Sequence, residues 1–250
     1  MAQKNYKILL AESLAKAGHK RAMFDIAKHC LDNETEELTH EKGQLILRYL
    51  SEFAEDKDTP LYSKRYAKLL LGIMYYSGKG VEQNYKKAIE WYEKAAAESN
   101  SYALSNLGYC YFYGRDVPVD YEKAYSYFSQ AAFWENPNAM YKLGDMYYDG
   151  LFVGEDKDAA FFWYSEAHNI TESGDYDEQP NIEYRLGKCW LYGHGTEKNT
   201  LTALNFLQKS EINFFTQTEA GNKFARLTLP KVRNELDIAR AEMYSRQTNT

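Results

Sequence analysis

The sequence predicts an all-α protein, a solenoid of helix–turn–helix repeats. The first observation behind this is a skeleton, Leu71-Gly72-x-x-Tyr75-x-x-Gly78-x-Gly80. It returns as Leu107-Gly108-x-x-Tyr111-x-x-Gly114 and Leu143-Gly144-x-x-Tyr147-x-x-Gly150, each 36 residues after the one before. The second is a fourth copy, Leu186-Gly187-x-x-Trp190-x-x-Gly193-x-Gly195, which follows after 43 residues. The third is a second helical signature at constant distance from the first: Ala88-x-x-Trp91-Tyr92, Ala124-x-x-Tyr127-Phe128, Ala160-x-x-Trp163-Tyr164 and Ala203-x-x-Phe206-Leu207. A fixed period of this size marks stacked repeats, each burying an apolar face on its neighbour.

Taken in order, Tyr6 to Ala17 places Leu10, Leu14 and Ala17 on one helical face, so residues 1–20 read as an N-terminal capping helix. Residues 21–65 read as a divergent repeat. Ile26-Ala27 stands where Leu-Gly stands elsewhere, and Gly43 lies 17 residues beyond Ile26, as Ala88 lies beyond Leu71. Regular repeats follow at 66–101 and 102–137, then 138–180 with an acidic extension (Glu172, Asp175, Asp177, Glu178), then 181–218. Residues 219–250 read as C-terminal capping material, with a helix from Lys231 to about Ser245 that gathers Val232, Leu236, Ala239 and Met243 on one face.

Within a repeat, helix A carries Leu-Gly in its middle. An interior helical glycine costs about 1 kcal/mol against alanine, so its return at one register implies that another helix approaches closely there. The later glycine (Gly78, Gly114, Gly150, Gly193) ends helix A in the left-handed conformation. Asn84, Asp120, Asp156 and Asn199 then cap helix B. Asn136-Pro137 opens a further helix A, with proline at a tolerated first position. Tyr75, Tyr111, Tyr147 and Trp190 are assigned to the core.

These spacings and residues, A-x-x-x-L-G-x-x-Y-x-x-G-x-G-V followed by D and K-A-x-x-W-Y-x-K-A-A, resemble the Sel-one-like repeat (SLR) family, a branch of the tetratricopeptide-like solenoids. Ala67 to Ala97 departs from the pattern only by Asn84 in the Asp column. Ala103 to Ala132 has Asp116 for the second Gly, and Ala139 to Ala167 has Phe152 there. Tyr184 to Ser210 replaces Val and Asp with Thr196 and Asn199. The resemblance implies a right-handed α/α superhelix and an adaptor or scaffold role in protein complexes. Some bacterial members carry a disulfide in each repeat. Cys30, Cys110 and Cys189 are not paired in that way, and they read as buried, reduced helical residues.

If the repeats stack as in tetratricopeptide proteins, helix A lines a concave groove. Counted from each Leu, its inward positions give Leu69, Ile73 and Tyr76; Ser105, Tyr109, Phe112 and Tyr113; Tyr141, Asp145, Tyr148 and Asp149; and Tyr184, Lys188 and Tyr192. The first turns add Tyr66, Tyr102 and Asn138. Lys188 shares a column with Asp145 and is placed to pair with it. The expected ligand is a protein or peptide, and one with basic residues would meet Asp145 and Asp149. Twenty-three tyrosines suit such a surface, since rigid amphipathic rings give contact area at low entropic cost.

The formal charge of −6, without a basic run, excludes nucleic acid as the expected partner. No run of about 18 apolar residues exists to span a membrane, and the reading is a cytoplasmic monomer. None of the five histidines pairs in a metal or catalytic spacing, His194 reads as a solvated turn residue, and no phosphate-cradling loop is present. The function expected is therefore noncatalytic partner binding without a cofactor. Two alternatives stay open: an immunity-type regulator of one partner, and a small-molecule-binding or hydrolase-like solenoid centred on Asp145, Asp149 and Lys188.

Overall fold

The computed structural model describes residues 19–32, 39–172 and 179–248. The N-terminal capping helix expected over Tyr6 to Ala17 and the acidic stretch 173–178 lie outside these. Among the described residues there are eleven helices and no strand: α1 (Lys20–Asp32), α2 (His40–Glu55), α3 (Leu61–Ser77), α4 (Tyr85–Ala96), α5 (Ser101–Tyr113), α6 (Tyr121–Phe133), α7 (Pro137–Asp149), α8 (Lys157–Thr171), α9 (Gln179–Tyr192), α10 (Thr200–Glu219) and α11 (Lys223–Thr248). They divide into two compact units, Met1–Tyr127 and Phe128–Thr250, whose boundary falls inside α6.

In the first unit, α1 and α2 form the divergent repeat. Phe24 stacks on Phe53 with centroids 4.7 Å apart, and Ala27, Leu31, Ile46 and Leu50 meet Leu70, Leu71 and Met74 of α3. A second core joins Leu69 of α3, Ile89 and Tyr92 of α4, and Leu107 and Cys110 of α5. In the second unit, Leu191 of α9, Leu207 and Phe214 of α10, and Leu229, Val232 and Leu236 of α11 close the C-terminal end. α11 begins eight residues before the expected Lys231 and runs through Pro230. The proline is tolerated because both it and Arg226, whose carbonyl it cannot serve, lie on the exposed side of the helix.

The pairs α3–α4, α7–α8 and α9–α10 are built the same way. The Leu-Gly glycine of helix A sits against the large residue of helix B. A Cβ added to Gly72 would lie 2.3 Å from the Tyr92 ring, one on Gly144 2.4 Å from the Tyr164 ring, and one on Gly187 2.6 Å from Leu207. Gly78, Gly114, Gly150 and Gly193 end their helices at φ of 71°, 65°, 66° and 73°. Asn84, Asp120, Asp156 and Asn199 then accept from the backbone N–H three residues on, at 2.9–3.0 Å. Their own N–H groups donate back to the carbonyls of Tyr75, Tyr111, Tyr147 and Trp190 at 2.8–3.0 Å. The motif aromatics thus anchor the turn by their main chain. Their rings are only half-buried, and the deeper core column is one residue earlier: Met74, Cys110, Met146 and Cys189, all fully buried.

Gly144→Ala is expected to destabilise the protein by about 1–3 kcal/mol, because overpacking against Tyr164 outweighs the gain in helix propensity. Gly154→Ala, which meets nothing within 4 Å, should change stability by under about 0.5 kcal/mol. Chemical denaturation of the two variants checks the contrast.

Candidate partner-binding site

The second unit holds an open pocket of about 160 Å³ lined by Asp145, Tyr148 and Asp149 of α7, Tyr164 of α8, and Tyr184, Arg185 and Lys188 of α9. Its floor is an ionic network around Asp145. That carboxylate accepts from Lys142 Nζ at 3.1 Å, Tyr164 Oη at 3.0 Å and Arg185 Nη2 at 2.8 Å, and also from Arg185 Nε. Arg185 Nη1 donates to the Asn181 carbonyl at 3.1 Å, so the guanidinium is spent within the fold. Tyr164 reaches Asp145 because its ring lies on Gly144, the preceding residue. Burial by itself would raise the Asp145 pKa; Arg185 and Lys142 overcome that and hold it down at about 2. Burial and the Asp145 charge push the Tyr164 hydroxyl well above its ordinary range.

The pairing of Asp145 with Lys188 expected from their shared column does not occur. Arg185, three residues before Lys188, has the planar fork that takes both carboxylate oxygens. Lys188 instead lies over the rings of Tyr148 and Tyr184, 5.3 and 5.8 Å from their centroids. The expected twin carboxylates also part company: Asp145 is buried and saturated, whereas Asp149 is exposed.

His194 is not a solvated loop residue either. Its Nδ1 lies 2.8 Å from the Tyr148 hydroxyl, and its ring contacts those of Tyr148 and Tyr192. Tyr192 in turn donates to Glu235 of α11. Burial pushes the Tyr148 hydroxyl up to about 12, with Cys189 and Asp149 adding to the effect.

The remaining expected groove residues divide by depth. Leu69, Ser105 and Tyr141 are buried, at 3%, 1% and 6% exposure, and cannot meet a partner. In these three repeats the residue two before the Leu is packed inward, whereas Tyr184 at the same position of the fourth is half-buried and lines the pocket. Tyr66, Ile73, Tyr76, Tyr109, Phe112 and Asn138 are half-buried, and Tyr102, Tyr113 and Tyr192 are exposed. In the first unit Tyr109 stacks on Tyr113 at 6.1 Å, Tyr76 meets Tyr85 edge-on at 5.1 Å, and Arg115 lies over Tyr85 and Tyr113 while hydrogen-bonding Tyr76. Arg185, Arg115 and Glu235 were not singled out in the sequence, and Tyr164 and His194 entered only as a helix-B packing residue and a solvated turn residue. The available signal was positional: Arg185 is the one arginine immediately before a motif Leu.

The Sel1 repeat model matches residues 65–100, 101–132, 137–167 and 183–210. The chain belongs to the Sel1 repeat family. The four matched Sel1 repeats coincide with the pairs α3–α4, α5–α6, α7–α8 and α9–α10. A protective antigen of uropathogenic Escherichia coli strains that displays an SLR fold is similar, with TM-score 0.62 and 24% identity over 90% of this chain and 51% of that one. A Sel1 repeat protein from Oxalobacter formigenes gives 0.62 and 22%, over 90% and 59%. A putative Sel1 repeat protein from Klebsiella pneumoniae gives 0.52 and 18%, over 92% and 98%. The chain thus spans between half and three fifths of the first two, and at these identities the likeness is one of fold. No curated protein matches the sequence. Sel1 repeat proteins generally serve as protein–protein interaction scaffolds. Among the described residues no helix is long and apolar enough to cross a membrane.

Asp145→Ala is expected to cost about 3–5 kcal/mol, because it strands Arg185 and Lys142 without their counter-charge. Lys188→Ala should cost under about 1 kcal/mol. The Asp145 value in the fold lies below its ordinary 3.8. Its contribution, roughly 2 kcal/mol, is therefore complete above that pH and fades as pH falls toward 2. Denaturant titrations at neutral pH and between pH 4 and 2 check both statements, and the acid-range loss should be smaller in Asp145→Asn.

Proposed function

We propose that this Sel1 repeat protein is a noncatalytic scaffold that holds a peptide or protein segment against the helix-A tyrosines, with the α7–α9 pocket as its anchor. The observation that carries this reading is the division of labour in the pocket. The floor charges are satisfied internally, while Tyr148, Tyr184 and Lys188 stay partly exposed and Asp149 fully so. Half-exposed tyrosines around a rigid floor offer apolar area and hydroxyls at low entropic cost.

The saturation of Asp145 moves the expected basic contact of the partner onto Asp149. Among the described residues neither Asp149 nor Lys188 belongs to an ion pair. The rim therefore offers one charge of each sign, and a segment carrying both fits it better than a purely basic one.

The hydrolase-like alternative loses its proposed centre. A carboxylate held near 2 by two cations is a poor base, and burial holds the Cys110 and Cys189 thiols at about 12, far from a nucleophilic thiolate.

The test begins with a partner identified by affinity capture and then purified. Tyr148→Ala combined with Tyr184→Ala should weaken its binding at least tenfold by calorimetry, whereas Tyr244→Ala on exposed α11 should leave it unchanged. Wild-type affinity in the double variant would remove the pocket from the interface.

A further inference from the structure

The turn that ends helix A carries one side chain between its two glycine positions. In the four Sel1 repeats that residue is Lys79, Arg115, Leu151 and His194. Three of these reach back to the same place in the preceding repeat, the residue five beyond its motif Leu or the matching Ile26. Lys79 Nζ donates to the Leu31 carbonyl at 2.7 Å. Arg115 hydrogen-bonds the Tyr76 hydroxyl. His194 Nδ1 meets the Tyr148 hydroxyl at 2.8 Å.

The backbone fixes this reach. Gly195, at φ 70°, presses on the first turn of α8, where a Cβ would lie 2.1 Å from the Lys157 carbonyl. Gly80 likewise seats on Gly43 in the first turn of α2. The turn is thus docked on helix B of the preceding repeat, and the intervening side chain is aimed at its helix A.

We propose that this residue is a latch between consecutive repeats, and that His194 makes the latch between the third and fourth repeats responsive to pH. With the ring neutral and its proton on Nε2, Nδ1 accepts the Tyr148 hydroxyl. A second proton removes that acceptor, and the hydroxyl must turn round.

The new charge would also face an unfavourable field. Lys157 from the start of α8 lies 3.6 Å from the Tyr148 ring centroid, and Lys188 of α9 lies 5.3 Å from it. Glu155 opposes them but is tied to Lys157 at 3.3 Å, and Glu235 of α11 is held by Tyr192. Burial first, then Lys157 and Lys188, keep the imidazole below its ordinary 6.5. For a base whose folded value is depressed, stability is complete above the unfolded value and is lost as pH falls through the folded one. Acidification below about 6.5 therefore reverses the bond, with Nδ1 donating to the Tyr148 oxygen, and sets the new charge against Lys157 and Lys188, which weakens the latch beside this wall of the pocket. Of the three latch residues only His194 is an imidazole, so its junction is the one that responds.

His168 is also held low by burial, with Glu172 and Lys209 beside it, so the two rings must be separated. The experiment follows the imidazole and tyrosine-ring NMR signals of the wild-type chain from pH 8 to 5. Unfolding free energies of wild type, His194→Gln and His168→Gln are measured over the same range. His194 should titrate below 6.5, with the Tyr148 ring signals moving along the same curve. The fall in stability from pH 7 to 5 should shrink in His194→Gln and stay larger in His168→Gln. Titration of His194 at or above 6.5, or Tyr148 signals that ignore it, would overturn the proposal. So would an unchanged pH slope in His194→Gln. The wild-type titration decides the matter even if a variant folds poorly.

Discussion

The contact on which the rest depends is the seat of a large helix-B residue on a helix-A glycine. Tyr92 on Gly72, Tyr164 on Gly144 and Leu207 on Gly187 bring the paired axes closer than any side chain would permit. This one approach sets what lies next to it. In the third Sel1 repeat it carries the Tyr164 hydroxyl to Asp145, so a packing contact becomes the first strut of the ionic floor. Arg185 supplies the strut from the following repeat. Packing and electrostatics in the second unit are therefore one construction: the ring that seats on the glycine is the one whose oxygen reaches the acid.

Because of that floor, the pocket's chemistry differs from what its lining residues suggest by name. Two cations and a phenol converge on one carboxylate, and a buried ion of this kind is tolerable only when its remaining lone pairs are filled. What stays available to a ligand is the rim. Within the rim, the two tyrosines sandwich an ammonium that in isolation would be read as a partner for the acid below.

Much of the fold was legible in the sequence, because each recurring residue answers to a local rule. Glycine at a fixed register means close approach, glycine at φ near 70° ends a helix, and Asn or Asp 13 residues after the motif Leu caps the next. The side-chain partners were less legible. Counting columns placed Lys188 beside Asp145, but a column fixes only where Cα lies. Arg185 starts from a neighbouring column and wins through reach and a two-pronged geometry that a single ammonium lacks. The same limit explains Leu69, Ser105 and Tyr141, which are buried although Tyr184 in their column is not. His194 looked solvated because a turn flanked by glycines is usually exposed. Nothing local reveals that this turn is docked on another helix. The start of α11 differs for another reason: a proline on the wet side of a helix costs one hydrogen bond that water can replace, so the helix continues through Pro230.

The main-chain bond from each capping residue back to the carbonyl of the motif aromatic closes the A-to-B turn from within. A loop sealed at its neck cannot take up extra residues without breaking that closure. Growth of the chain is diverted elsewhere, and the sequence bears this out. The distance from motif Leu to capping residue is 13 in all four Sel1 repeats, whereas the nine and seven surplus residues all fall beyond the cap, shared among a longer helix B, the passage after it and an earlier start of the next helix A. Each A-to-B turn is thus the invariant joint, and the room for lineages of this architecture to lengthen begins only on the far side of the cap.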